Sequence, residues 1–150
     1  MFRNLKKIEG FTILELMIAI GILIIITGTS IFAILSLIPT LKISSISRDL
    51  ITDLRYAQEL ALSQQIDYSV YFITSTKEYK IIKKTSPQEE ILTKKLPSEI
   101  SFKEIDFPNN EVIFNLYGGV KEAGKIILEN QKGQENVIQV SPSGFTKLIK

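Results

Sequence analysis

The sequence predicts an α+β chain in which one long N-terminal helix carries a small, mostly antiparallel β-rich head. Three observations predict it. An apolar run from Phe11 to Ile38 follows a short basic start. A stripe at helical period continues it through Ile43, Ile46, Leu50, Leu54, Ala57 and Ala61, spaced 3, 4, 4, 3 and 4. From Asp67 onward the pattern changes to short β-branched and aromatic segments broken by turn residues. At 150 residues there is room for one modest domain beside such a helix.

The first ten residues hold Arg3, Lys6 and Lys7 against Glu9, a net +2 that equals the charge of the whole chain. The remainder is therefore neutral, and the basic pI makes no global case for nucleic-acid binding. Basic residues before an apolar run stay in the cytoplasm and send the C-terminal side of the run across the membrane. Phe11 to Ile38 is 28 residues, and a helix needs about 20 to span a bilayer. A secretory signal would end in a small-residue cleavage site. Thr27-Gly28-Thr29-Ser30 is small enough, but the run resumes with Ile31-Phe32-Ala33-Ile34-Leu35. A plain anchor explains charge and length but leaves two residues unexplained. One is the glycine at the boundary, Gly10. The other is Glu15, a carboxylate inside a segment where a charge is costly and marks a function with a partner.

Pro39 follows the run, where proline kinks or ends a helix. The stripe beyond it predicts a kinked helix from about Thr12 to about Gln64, roughly 80 Å long, with Lys42, Arg48, Asp49, Asp53 and Glu59 on its other faces. Strands are expected at Tyr68–Thr74, Tyr79–Lys83, Ile91–Leu96, Ile100–Ile105, Glu111–Tyr117, Lys125–Glu129, Asn136–Val140 and Phe145–Ile149. Turns are read at Ser75-Thr76-Lys77, Pro108-Asn109-Asn110, Gly118-Gly119, Gln131-Lys132-Gly133-Gln134 and Ser141-Pro142-Ser143-Gly144. The domain reading is residues 1–10 as a leader, 11–38 as a transmembrane helix, 39–66 as its amphipathic extension and 67–150 as an extracytoplasmic head.

Composition excludes much chemistry. There is no cysteine and no histidine, hence no disulfide, no thiol nucleophile, and neither the commonest general base nor the commonest metal ligand. No nucleophile or acid–base constellation is visible, so the expectation is a non-enzyme without metal or cofactor. Gly118-Gly119 lacks the spacing of a phosphate loop.

Gly10-Phe11-Thr12-Ile13-Leu14-Glu15-Leu16 resembles the class III signal of type IV pilins and pseudopilins, G-F-T-L-x-E-L, with Ile13 in place of the usual leucine. The resemblance implies cleavage between Gly10 and Phe11 by a prepilin peptidase on the cytoplasmic side, and N-methylation at Phe11. It further implies that Glu15 meets the N-terminal amine of Phe11 in a neighbouring subunit and sets filament assembly. Leu50, Leu54, Arg55, Ala57 and Ala61-Leu62 resemble a helix of the GspH/FimT-type minor pseudopilins and their Gram-positive competence relatives. So do Val112-Ile113-Phe114, Gly118-Gly119, Ala123 to Leu128 and Ile138 to Phe145, which follow the GspH/FimT and ComGD pattern. Lys125 stands where the secretion branch usually has threonine, which leans toward the competence branch, and Phe145 stands where arginine is common.

The expected role is a minor pilin or pseudopilin of a type IV pilus-like or type II secretion filament. Its expected partners are the prepilin peptidase, other pilins, an inner-membrane assembly platform and lipid before assembly. The expected location is the cytoplasmic membrane, single-pass, then the pilus or pseudopilus. The alternative is a DNA-binding minor pilin of a competence pilus. Some FimT-like proteins bind DNA through a basic G-R-x-R stretch. Here it reads Gly144-Phe145-Thr146-Lys147, which leaves Lys147 and the nearby Lys150 as DNA contacts. Two lysines on a neutral head supply little phosphate attraction. Phe145 is expected in the core; exposed, it would stack on a base. A generic anchored β-domain is the remaining alternative.

Overall fold

The structure, a computed structural model, describes residues 10–149, with the side chains of residues 29–34 outside the description. The leader with Arg3, Lys6 and Lys7, and the candidate contact Lys150, lie outside the described residues. The chain divides into two units, Met1–Ile38 and Pro39–Lys150. Helix α1, Ile13–Gln64, contributes to both, and Pro39 lies inside it.

In the first unit the described large apolar side chains are open on every face of the helix. Ile13 is 80% exposed, Leu14 69% and Ile25 69%. A helix apolar all round requires an apolar environment to cover it. Among the described residues no helix is long and apolar enough to cross a membrane. The run expected to do so contains residues 29–34.

The second unit packs the rest of α1 on two four-stranded antiparallel sheets. The first sheet has the order β3-β2-β1-β5, with β1 at Tyr68–Ile73, β2 at Glu78–Lys83, β3 at Glu89–Lys95 and β5 at Glu111–Phe114. The second has the order β4-β6-β7-β8, with β4 at Ile100–Ile105, β6 at Gly124–Asn130, β7 at Glu135–Val140 and β8 at Thr146–Ile149. Each strand falls where alternation placed one. Two differ by more than one residue at an end. β5 stops at Phe114 instead of Tyr117 because the Asn115 carboxamide oxygen accepts the backbone N–H groups of Tyr117 and Gly119, at 2.9 and 3.1 Å, and turns the chain. β3 begins earlier, at Glu89, since an edge strand on the surface needs no apolar residue at that position.

Leu50, Leu54, Ala57 and Ala61 are fully buried, against Tyr68 and Val70 of β1, Ile81 of β2, Ile126 and Leu128 of β6 and Ile138 of β7. The two alanines keep the helix close to the sheets. Phe72 of β1 meets Phe102 of β4 edge-on, ring centroids 5.4 Å apart, and joins the two sheets.

The stripe is wider than expected. Ile46 is only half-buried, while Ser47 and Ile51 join the core. Asp53, expected on another face, is 7% exposed. It sits one position before Leu54 and therefore on the stripe's flank. Its carboxylate accepts hydrogen bonds from Tyr79 Oη at 2.5 Å and from Lys94 Nζ at 2.7 and 2.9 Å, which ties α1 to β2 and β3. On the opposite flank Asn136 Nδ2 donates to Ser47 Oγ at 2.9 Å and Arg55 Nη2 donates to the Thr146 carbonyl at 3.0 Å, which ties α1 to β7 and β8.

Asp53→Ala is expected to cost about 2 kcal/mol, because it strands the buried Tyr79 hydroxyl along with the Lys94 ammonium. Denaturant unfolding measures this. Tyr79 adds a pH signature. Burial pushes its phenol well above the ordinary value of 10.0, helped by the hydrogen bond to Asp53 and then by the charges of Asp53 and Asp49. A group whose pKa is raised on folding contributes stability that is complete below its unfolded pKa and is lost as the pH rises beyond it. The head therefore loses stability above pH 10, and Tyr79→Phe removes that part of the alkaline loss.

Candidate functional site

The N-terminal segment is built around a helix start. Thr12 is the cap: its Oγ1 accepts the backbone N–H of Glu15 at 3.2 Å, and its carbonyl accepts the N–H of Leu16 at 3.1 Å. A threonine followed three residues later by a glutamate is the register of a capping box. The motif residue Thr12 is thus also a local reason the helix begins at Ile13. Gly10 and Phe11 precede the cap and are not helical, and Phe11 is 77% exposed. A Cβ added to Gly10 would meet nothing within 4 Å. The Gly10–Phe11 peptide bond is therefore outside the helix and open. Glu15 is exposed, in the first turn of α1, where a carboxylate complements the helix dipole. No ion pair among the described residues includes it.

At the other end of the chain, Phe145 is not in the core as expected. It is 56% exposed, with the Arg55 guanidinium 6.0 Å from the ring centroid. Thr146, the next residue, is buried, and Lys147 is exposed again, since strand residues alternate faces. The structure thus brings Phe145, Lys147 and Arg55 to one surface. Arg55 is the member that sequence reasoning left out; its spacing marked it only as a helix residue. Four further lysines of the head are paired within it. Lys84 pairs with Glu111, Lys94 with Asp53, Lys95 with Glu78 and Lys125 with Glu104.

The glycines of the C-terminal pattern shape turns. Gly144 has φ +79, and a Cβ there would lie 2.1 Å from the Gly118 carbonyl oxygen. That contact draws the turn before β8 against the turn after β5. Among the described residues no three His, Cys, Asp or Glu side chains gather as metal ligands.

One long helix bearing two small antiparallel sheets is the architecture of pilin-like subunits, and that is the fold of this chain. It is similar to the minor pseudopilin EpsH from the type 2 secretion system of Vibrio cholerae, with TM-score 0.61 and 12% identity over 71% of this chain and 94% of that one. It is also similar to the type IV minor pilin FimU of Pseudomonas aeruginosa, with TM-score 0.60 and 16% identity over 71% of this chain and 87% of that one. No protein-family model matches the sequence, and no curated protein matches it significantly.

Proposed function

We propose that the chain is a minor pilin or pseudopilin, a structural subunit of a type IV pilus-like or type II secretion filament. It is inserted in the cytoplasmic membrane by Phe11–Ile38 with its N-terminus inside, cut after Gly10 by a prepilin peptidase, and N-methylated at Phe11. It then joins other pilins through its N-terminal helix at an inner-membrane assembly platform. The single observation that carries the reading is the contrast along α1. Its first part leaves its described apolar residues open, whereas its second part is packed into a head. Lipid covers such a surface before assembly and sister helices cover it afterwards. The open, non-helical Gly10–Phe11 bond before a capped helix suits a peptidase.

Co-expression with a prepilin peptidase tests the reading. Intact-mass measurement is expected to show loss of residues 1–10 and a chain beginning at Phe11. An unshifted N-terminus rules the reading out in favour of a plain anchored β-domain.

A second reading, a DNA-binding minor pilin of a competence pilus, draws on one observation: Phe145 stands exposed beside Arg55 and Lys147. Stacking on an aromatic with cations beside it is a mode of single-strand binding. Labelled single-stranded DNA is expected to be retarded by the chain at low salt and released as salt rises. No retardation at low salt ends this reading.

A further inference from the structure

Among the described residues each sheet has two outer strands, β3 and β5 in the first and β4 and β8 in the second. An outer strand presents unpaired N–H and C=O groups, a template for any extended chain. β5 and β8 are four residues long, and β5 meets Val120 at its end, so both leave little ladder to extend. β3 and β4 are longer, seven and six residues, and both are interrupted. In β3, Leu92 stands opposite Ile81 but Glu90 stands opposite Ile82, so Ile91 is an extra residue. In β4, Phe102 stands opposite Leu128 and Glu104 opposite Ile127, so Lys103 is extra. A bulge bends and twists a strand away from the regular ladder that a further strand needs.

β3, the longest of the four, carries a second feature. Lys94 stands opposite Tyr79, whose side chain is in the core, so Lys94 lies on the inner face of the sheet. Its neighbour Lys95 stands opposite Glu78 on the outer face and pairs with it there. The inner face of this strand is where an apolar residue would pack on α1. Instead the Lys94 stem carries an ammonium under the edge to Asp53 Oδ2, at 2.7 Å, and the side chain keeps 44% of its surface open to solvent. A strand added to β3 would cover that remaining surface. It would take the ammonium out of water with no new partner for it, which is costly even for a charge already paired.

We propose that Lys94 is a guard on the β3 edge: its inward charge, beside the Ile91 bulge, stops the β3 strand of a second copy from adding to the first sheet. Asp53 is the positioning residue, because it holds the ammonium at the edge. The ion pair that ties α1 to β3 thus also keeps the head from pairing strand to strand through its longest outer strand. The guard is a property of the head and depends neither on processing at Gly10 nor on a filament.

Full-length chains in detergent test this by sedimentation over a range of concentrations. Lys94→Met keeps the stem and removes the charge, and is expected to associate about tenfold more tightly than the wild type. Lys95→Met makes the same change on the outer face and is expected to behave like the wild type, as is Lys94→Arg, which keeps an inward charge. Asp53→Ala breaks the same ion pair but leaves the ammonium in place; it is expected to lose stability without gaining association. Hydrogen exchange locates the contact: in Lys94→Met the amides of Glu89–Lys95 are expected to exchange more slowly as concentration rises. Circular dichroism checks folding. Should Lys94→Met not fold, the double variant Asp53→Asn with Lys94→Met, which leaves no unpaired carboxylate, is read in its place with the same expectation. Association no tighter than the wild type overturns the proposal. So does equal association of Lys95→Met or Asp53→Ala, or exchange at β3 that is indifferent to concentration.

Discussion

A Glu15→Ala chain is expected to be cut after Gly10 like the wild type and to fall out of filaments by about tenfold or more. The two halves of this result have separate physical causes. The Gly10–Phe11 bond, the proposed cleavage site, lies before the Thr12 cap, and the cap uses the backbone N–H of residue 15, not its side chain. Alanine keeps that N–H and is a good helix former, so the start of α1 persists. The carboxylate itself is worth only about 0.3–1 kcal/mol to an exposed helix N-terminus. On the proposed function its larger role would arise when α1 enters a filament core. There a lone negative charge would need a partner, and the proposed one is the amine of a neighbour's Phe11. Removing Glu15 would then strand that amine in an apolar surrounding. Intact mass reports processing, and the sheared filament fraction reports incorporation. Glu15→Gln separates charge from size: it keeps the shape and is expected to fail like alanine. Normal incorporation of Glu15→Ala would sink the pairing idea while leaving the filament-subunit reading intact.

The second large effect is on the head. Gly144→Ala is expected to cost about 3 kcal/mol, through strain at a positive φ and a clash with backbone. The added Cβ would lie 2.1 Å from the Gly118 carbonyl oxygen and 2.3 Å from Gln58 Nε2. Neither gives way cheaply, because that carbonyl accepts the Gln58 hydrogen bond. Gly133→Ala is the comparison. Its φ is +73, but a Cβ there meets nothing within 4 Å, so it is expected to cost about 1 kcal/mol, the conformational part alone. Denaturant midpoints of the two variants measure the clash by difference. Equal losses would mean that the two turns separate without cost.

The order of elements was legible because each rests on local pattern. The stripe from Ile43 to Ala61 and the alternation of eight strands recur in the structure with small shifts at their ends. What pattern missed depended on partners far away in sequence. Asp53 reads as a solvated helix residue until Tyr79 and Lys94 are brought to it. Phe145 reads as core until Thr146 turns inward in its place and Arg55 covers the ring. Tyr117 reads as the end of a strand until Asn115 turns the chain beneath it.

By itself the sequence determined the long helix with its apolar first part, the approximate positions of the strands and the six-residue motif Gly10 to Glu15, since periodicity and a fixed register of residue types are local properties. Only the tertiary structure decided which sheet each strand joins, that a helix aspartate is buried, and that Phe145 stands out of the core beside Arg55. Those depend on pairing and packing between residues that no local spacing connects.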